Sequence, residues 1–203
     1  MNPSQVNTLR KSLSADGKSN TELRETHISW VILSDDYAYK IKKPITLSFL
    51  DFSDLESRAA FCRRELELNR RLAPQIYLSV EKITQSGDSI TFNGPGQTID
   101  HAVKMRRMND TKLLSTLLNN PNANISLADI ARQLADFHKS AQRIFTQDIA
   151  ERMNRAIDNI LQVRDTIVLE LGAPAGQIVD RCSSHGRKFV TNNLNYLEER
   201  AAR

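Results

Sequence analysis

The hydrophobic pattern of the chain changes near its middle. Before residue 109, short hydrophobic runs are separated by turn residues, whereas after it hydrophobic residues recur at helical spacing. Short runs bounded by turn residues predict strands, and a period near 3.6 predicts helices. Because Pro44 cannot donate to a sheet ladder, the second predicted strand is expected to end there. The predicted strands are HISWVIL, YAYKIK, IYLSVEKI, SITF and TIDHAVKMRRM.

One long helix is predicted among these strands, over Ser53–Ala73, between YAYKIK and IYLSVEKI. Ser53 is expected to cap this helix, because Glu56 follows three residues later, as a capping box requires. Pro74 marks its end. A shorter amphipathic helix is predicted over Val6–Leu13, and the loop SADGKSN follows it.

The second half of the chain predicts helices only. After the short helix TKLLSTLL, a long helix is predicted over Ser126–Phe145, with hydrophobic residues at Leu127, Ile130, Leu134, Phe137 and Ile144. A second one is predicted over Asp148–Leu171 and is expected to end at Gly172, before Pro174. The run KFVTNNLNYLEERAAR predicts a closing helix. Strands followed by segregated helices indicate an α+β fold.

The composition is that of an ordinary globular protein. Among 203 residues the net charge is only +4, which does not by itself indicate a nucleic-acid partner. The two cysteines, Cys62 and Cys182, form no CxxC pair, and the cysteines and histidines show no metal-ligand spacing. Two free thiols are expected, in a reducing compartment. Without a signal-peptide core or an apolar run of membrane-spanning length, the protein is expected to be cytoplasmic.

Candidate chemistry begins in the YAYKIK strand. Alternation places Tyr37, Tyr39 and Ile41 on one face, and Ala38, Lys40 and Lys42 on the other. A small alanine beside a lysine leaves room for a flat ring over the strand while the ammonium group reaches toward phosphates. The spacing of Ala38 and Lys40 is that of the A-x-K element in the protein-kinase signature set.

A phosphate-binding lysine needs an acidic partner, and the predicted helix offers Glu65. Its neighbours at helical spacing are the hydrophobic residues Phe61, Cys62, Leu68 and Leu72. Glu67 instead has arginines as neighbours and belongs to a solvated face. A carboxylate on a buried face is costly unless paired, and Lys40 is the candidate partner. The alternative remains that Lys40 faces solvent and Glu65 lies at the helix rim.

Several runs resemble the aminoglycoside phosphotransferase-like domain of a bacterial protein family, which longer members often carry fused to a P-loop ATPase domain. The runs are ETHISWVIL, DYAYKIKKP, LSFLDFS, FCRRELELNRRLAPQIYL and AVKMRRM, and the similarity extends from about Glu25 to His138. The resemblance implies a protein-kinase-like fold that transfers phosphate from ATP to a small molecule. It divides the chain into an N-terminal helix and loop (1–20), an N-lobe with hinge (21–108) and a partial helical C-lobe (109–203).

The resemblance also assigns roles to residues. Lys40 would contact phosphate and Glu65 would be its helix partner. The run THIS, with His27 and Ser29, would replace the phosphate-covering loop. The run KMRRM, with Lys104, Met105 and Arg106, would form the hinge beside adenine, and LADFH would belong to the helix that precedes the catalytic loop.

The chain departs from the family in two places. Asp35 stands where a glycine is usual, and no H-G-D catalytic loop is present, because HGRK has a basic residue in place of the aspartate. ATP and Mg²⁺ are the cofactors that the resemblance implies, yet the aspartate and asparagine that bind Mg²⁺ are missing. The expectation is a domain truncated before its catalytic loop and inactive alone.

Two further interpretations stay open. The first is a non-catalytic, pseudokinase-like binding module that self-associates or binds a partner through an incomplete C-lobe. The second, nucleic-acid binding through CRRELELNRR, is weaker, because acidic residues interrupt the basic ones and no aromatic platform accompanies them. The sequence does not identify the small-molecule acceptor of a kinase reaction.

Overall fold

A computed structural model describes residues 1–14, 20–47, 49–120, 122–142 and 148–202. These residues form two compact units, Met1–Ala131 and Arg132–Arg203. All the described strands lie in the first unit and the second consists of helices, so the chain is α+β, as the sequence predicts. The first unit continues past residue 108, the boundary expected from the sequence.

The first unit contains the helices α1 (Pro3–Leu13), α2 (Leu55–Arg70) and α3 (Leu114–Leu118), with a 3₁₀ turn over Asp110–Lys112. A further helix, α4 (Leu127–Ser140), begins in this unit and continues into the second. The described strands are β1 (Glu22–Glu25), β2 (Ser29–Leu33), β3 (Tyr37–Lys42), β4 (Thr46–Leu47), β5 (Leu50–Asp51), β6 (Tyr77–Ser86), β7 (Ser89–Phe92) and β8 (Gln97–Arg106).

Six of the described strands form one antiparallel sheet in the order β1-β2-β3-β8-β6-β7. β3 therefore lies in the interior of the sheet, where Lys40 is opposite Val31 on β2 and Val103 on β8. β3 ends at Lys42, just before Pro44, as predicted. The separate hairpin of β4 and β5 was not predicted from the sequence.

Helix α1 covers one face of this sheet. Asn2 caps it by accepting a hydrogen bond from Gln5 N, and Pro3 occupies its first turn, where a missing N–H is tolerated. Its fully buried residues Val6 and Leu9 form a hydrophobic core with residues of five strands, namely Trp30, Ile32, Tyr39, Ile41, Ile83, Ile90 and Ala102. Tyr39 and Ile41 therefore face α1.

Helix α2 covers the other face, toward which Lys40 points. Its cap is Asp54 and not Ser53, so the predicted N-cap is wrong by one residue. Asp54 Oδ1 accepts the N–H of Ser57 at 2.8 Å, and Asp54 Oδ2 accepts the Ser57 hydroxyl at 2.6 Å. The two carboxylate oxygens of Asp54 thus each accept from one donor of Ser57.

The second unit contains α5 (Ile149–Leu161), α6 (Arg164–Leu171), α7 (Ala173–Asn192) and α8 (Leu194–Ala201). The single helix predicted over Asp148–Leu171 is wrong, because α5 ends at Leu161 and α6 begins at Arg164. Of the helix predicted over Ser126–Phe145, α4 covers the part up to Ser140, and Ile144 and Phe145 lie outside the described residues.

The start of the last predicted helix is also wrong. The helical structure begins at Ala173, and the segment KFVTNNLNYLEERAAR is divided between α7 and α8. Pro174 is a breaker inside a helix but is well tolerated in a first turn, and here it lies in the first turn of α7. The residues of HGRK, His185–Lys188, are helical and lie within α7.

Candidate functional site

The candidate site lies where β3 faces α2. Lys40 Nζ donates a hydrogen bond to Glu65 Oε1 at 2.8 Å, as the sequence predicts. The buried stripe from which this contact was predicted is wrong, because Phe61, Leu68 and Leu72 are exposed and only Cys62 of that set is buried. Glu67 lies at the surface and accepts a hydrogen bond from Arg64 at 2.9 Å. The two glutamates thus separate as the helical periodicity requires, and Glu65 is the one that meets the sheet.

Glu65 has a second partner that sequence reasoning missed. Lys42 Nζ donates to Glu65 Oε2 at 2.7 Å, so each carboxylate oxygen holds one ammonium group. The Lys42 side chain is 6% exposed, whereas that of Lys40 is 31% exposed. The signal was present in the sequence, because alternation places Lys42 on the same face as Lys40.

These contacts fix the charge state of Glu65. Burial raises the pKa of the Glu65 carboxyl, but the hydrogen bonds and charges of Lys40 and Lys42 outweigh burial and hold the pKa below its ordinary value. The carboxylate and two ammonium groups together carry one net positive charge. Because Lys40 is the more exposed of the two lysines, this surplus charge is accessible to an anionic ligand.

Cys62 lies one helical turn before Glu65 on α2. It is fully buried and donates from Sγ to the carbonyl oxygen of His101 at 3.8 Å. Burial raises the pKa of the Cys62 thiol to about 11, so it stays protonated at neutral pH and acts as a packing residue. Cys182 is exposed, and both cysteines are free thiols, as predicted.

A cleft of about 830 Å³ opens beside this pair at the beginning of β3. Ala38 and Met105 are direct neighbours across β3 and β8, and both line the cleft. Its other lining residues include Leu33, Asp35, Ala73, Ile76, Tyr77, Arg106 and Met108. The small side chain of Ala38 leaves the space above β3 open.

Tyr77 connects the cleft with the ion pair. Burial raises the pKa of the Tyr77 hydroxyl, the charge of Glu65 raises it further, and the charge of Lys40 lowers it. The hydroxyl is therefore within electrostatic reach of both charged groups while the residue lines the cleft. Lys40 and Glu65 are not among the residues that line the cleft, but Ala38, which does line it, lies on the same face of β3 two residues before Lys40.

The segment after β8 is fixed by its backbone. Arg106 N donates to the carbonyl oxygen of Ile76, and Arg107 N donates to that of Asp36, both at 2.8 Å. Arg107 Nη1 also donates to the carbonyl oxygen of Ser34 at 2.8 Å. The predicted hinge is thus anchored on both sides of the cleft, with Met105 and Arg106 among its lining residues.

Lys104 is not brought to the cleft. It is opposite Tyr39 on β3 and shares the face that α1 covers. Its Nζ lies 4.1 Å from the centroid of the Tyr37 ring, a cation–π contact. Strand alternation thus directs the Lys104 side chain to the face of the sheet opposite Ala38, and the place of Lys104 in a hinge beside adenine stays a prediction.

The turn between β1 and β2 lies at the other end of β3. His27 is exposed and lines a surface cavity with Glu25, Thr26 and Lys43. Ser29 is fully buried, and its Oγ has no hydrogen-bond partner among the described atoms. The buried Ser29 hydroxyl is therefore not accessible to a ligand, and the place of THIS in a phosphate-covering loop stays a prediction. The role of His27 stays a prediction.

The described residues contain neither a metal-ligand cluster nor a membrane-spanning helix. No group of three or more His, Cys, Asp or Glu side chains among them is close enough to hold a metal ion. Among the described helices, none combines the length and the apolar character that a bilayer crossing requires.

Comparison with known proteins identifies relatives of the chain, but their names state no activity. No known family's sequence profile and no solved structure match the chain. It is 35% identical over 178 residues to "Uncharacterized protein Rv2004c" of Mycobacterium tuberculosis and, equally, to "Uncharacterized protein Mb2027c" of Mycobacterium bovis. The alignments cover 84% of this chain and 33% of each relative, so the chain spans about a third of their length.

Proposed function

We propose that the first unit binds a nucleotide and is the nucleotide-binding lobe of an aminoglycoside phosphotransferase-like small-molecule kinase with a protein-kinase-like fold. The observation that carries the proposal is the Lys40–Glu65 pair, which links an interior strand to the helix packed on it. Lys40 lies two residues along β3 from Ala38, which lines an open cleft. A lysine on the third strand paired with a helix glutamate is the arrangement that positions ATP phosphates in kinases.

The geometry supports a defined orientation of the nucleotide. The flat base would lie over Ala38 and Met105, against the anchored segment that follows β8. The phosphates would extend along β3 toward Lys40, whose ammonium group is partly exposed and belongs to a cluster with a surplus positive charge. Apolar contacts would then hold the base, and a charge-assisted contact would hold the phosphates.

Phosphoryl transfer to a hydroxyl is proposed only for a longer protein that contains this domain. Kinases of this type require a catalytic aspartate and metal ligands after the hinge. In this chain the HGRK residues that come nearest to the motif are helical within α7. We therefore expect the chain to bind nucleotide without turnover. Its relatives, of which the aligned segment is 33%, have room for further catalytic segments.

A second candidate function is a non-catalytic binding module that uses the helices of the second unit. Large hydrophobic side chains are exposed there on α5 to α7 and in the connections between them, namely Ile160, Val163, Leu169, Leu171, Ile178 and Phe189. Exposed apolar residues in such number favour a self-associating or partner-binding surface. The two functions are compatible, since the nucleotide would bind to the first unit.

The test is ligand-dependent thermal stability with ATP and ADP. A nucleotide that binds the native state raises the melting temperature of the wild type. Lys40→Ala is expected to abolish this increase, because it removes the phosphate-facing ammonium group. Lys43→Ala is the matched control, since Lys43 lies just after β3 and pairs with the exposed Glu25 at 2.6 Å. If nucleotide raised the melting temperatures of the wild type and Lys40→Ala equally, Lys40 would not be part of the nucleotide site.

A further inference from the structure

We propose that Lys42 is a positioning residue of this site, which holds Glu65 in place so that Glu65 fixes the Lys40 ammonium group where it meets an anion. The proposal rests on the proposed nucleotide-binding function and adds to it a residue, Lys42, that positions Glu65. It starts from the geometry of Glu65, whose two oxygens are held separately, one by each lysine.

The two lysines differ in what they are able to do. The Lys42 side chain is nearly inaccessible, and its Nζ lies 5.0 Å from the centroid of the Phe52 ring. A buried ammonium group that left Glu65 would lose its ionic partner at a high cost. Lys40 is several times more exposed and is able to turn toward a ligand without becoming desolvated.

This difference determines the response of the site to an anion. A lysine ammonium group has three N–H donors, so Lys40 is able to donate to a phosphate and keep its bond to Glu65. Lys42 holds the second oxygen of Glu65 and so restricts rotation of the carboxylate. Glu65 then keeps the Lys40 ammonium group in one position, which lowers the cost of ordering it when a ligand binds.

The first test measures the titration of the Glu65 carboxyl by ¹³C NMR, with Glu65→Gln to identify its resonance. The neighbouring titratable groups Cys62 and Tyr77 stay neutral below pH 8, because their pKa values are raised. Lys42→Met is expected to raise the pKa of Glu65 more than Lys40→Met does, because a charge in a less exposed position is screened less. Lys43→Met is the control and should leave the pKa of Glu65 unchanged.

Folding of each variant is checked by circular dichroism. Lys42→Gln, which keeps a hydrogen-bond donor without the charge, replaces Lys42→Met if the latter does not fold, and it should also raise the pKa of Glu65. If both Lys42 variants shift the titration no more than Lys43→Met does, Lys42 does not control Glu65 and the proposal is wrong.

The second test measures ATP affinity by isothermal titration calorimetry. Lys42→Met is expected to weaken ATP binding about tenfold, as loss of a charge-assisted hydrogen bond implies. Lys42→Arg, which keeps the charge, should restore most of the affinity, and Lys43→Met should bind like the wild type. Equal affinities in Lys42→Met and Lys43→Met would overturn the proposal. If the wild type binds no ATP, the proposed function fails, while the titration still decides the role of Lys42.

Discussion

Glu65 belongs to the candidate site and also contributes to the stability of the fold. It is 14% exposed and forms two charge-assisted hydrogen bonds, so its ionised form is favoured in the native state. A carboxyl group whose pKa is lowered by folding stabilises the protein above its unfolded pKa. That contribution is lost as the pH falls through the folded pKa.

The first prediction is a pH-dependent difference between the wild type and Glu65→Gln. At pH 7 the substitution should lower the free energy of unfolding by about 3 kcal/mol, because it leaves Lys42 buried without its ionic partner. The difference should stay constant down to about pH 5 and shrink below 4.5, the ordinary pKa of the carboxyl group. Urea unfolding at several pH values measures it. A difference that grew toward acid pH would contradict this sign.

A second prediction concerns Arg58 and Asp100, which form a buried ion pair with an Nε–Oδ1 distance of 2.9 Å. Arg58 Nη1 also donates to the carbonyl oxygens of Phe52 and Ser53, and Asp100 accepts from Met1 N. Arg58→Met should lower the free energy of unfolding by about 3–5 kcal/mol, because Asp100 loses a partner that it cannot replace with water.

The matched control for Arg58→Met is Arg64→Met on the same helix. Arg64 pairs with Glu67 at the surface, where both side chains are more than half exposed. Exposed pairs contribute little, so this variant should unfold at the urea concentration of the wild type. Equal losses in the two variants would show that helix propensity, and not the buried pair, explains the effect.

At the scale of elements, the beginning of α2 gives a third prediction. Asp54→Ala should lower the melting temperature by about 3 °C, because two first-turn hydrogen bonds lose their acceptor. Ser53→Ala, at the position that the sequence pattern favours, should have a smaller effect. Differential scanning calorimetry compares the two variants. A larger decrease in melting temperature for Ser53→Ala would support Ser53 as the N-cap of α2.

The elements that sequence patterns predicted well are those of the first unit. The alternation and helical spacing of hydrophobic residues predicted β2, β3, β6, β7, β8 and α2. The same patterns predicted that Lys40 and Glu65 lie at one interface. The period of two also assigns Lys104 to the face of Tyr39, once the pairing of β8 with β3 is known. That pairing joins segments far apart in the chain, and local patterns do not encode it.

The elements of the second unit were harder to predict because their signals conflict. Hydrophobic residues continue at helical spacing across Gln162–Val163, so the break between α5 and α6 leaves no clear mark in the pattern. Gly172 and Pro174 form a plausible end for one helix, yet they also suit the start of another. In the structure Gly172 ends α6, with φ 83°, and α7 begins at the next residue.

At the scale of the whole molecule, burial is uneven between the units. The interior strands β3 and β8 contain several fully or nearly fully buried residues, including Ile41, Ala102 and Val103. In the described chain, α5 and α6 bury none of their residues, and α7 buries three, Gly176, Ser183 and Val190. Local stability follows buried contacts, so the first unit should be the more stable one.

A fourth prediction follows for hydrogen exchange measured by mass spectrometry. Peptides from β3 and β8 should exchange slowest, since both strands are hydrogen-bonded on each side and packed between α1 and α2. Peptides from α5 and α6 should exchange at least about tenfold faster, because their amides open without disturbing a core. Uniform protection across both units would contradict this expectation and indicate a single cooperative structure.

The pairing of β3 with β8 has a consequence for synthesis of the protein on the ribosome. One edge of β3 is hydrogen-bonded to β2, which is synthesised before it. The other edge pairs with β8, which emerges only after β4, β5, α2, β6 and β7 have been synthesised. A nascent chain therefore carries an unpaired strand edge while about half of this unit, residues 43–106, is translated, and such edges attract other strands. The two lysines of β3 lie in this exposed segment, and their like charges would deter neighbouring nascent chains from pairing there.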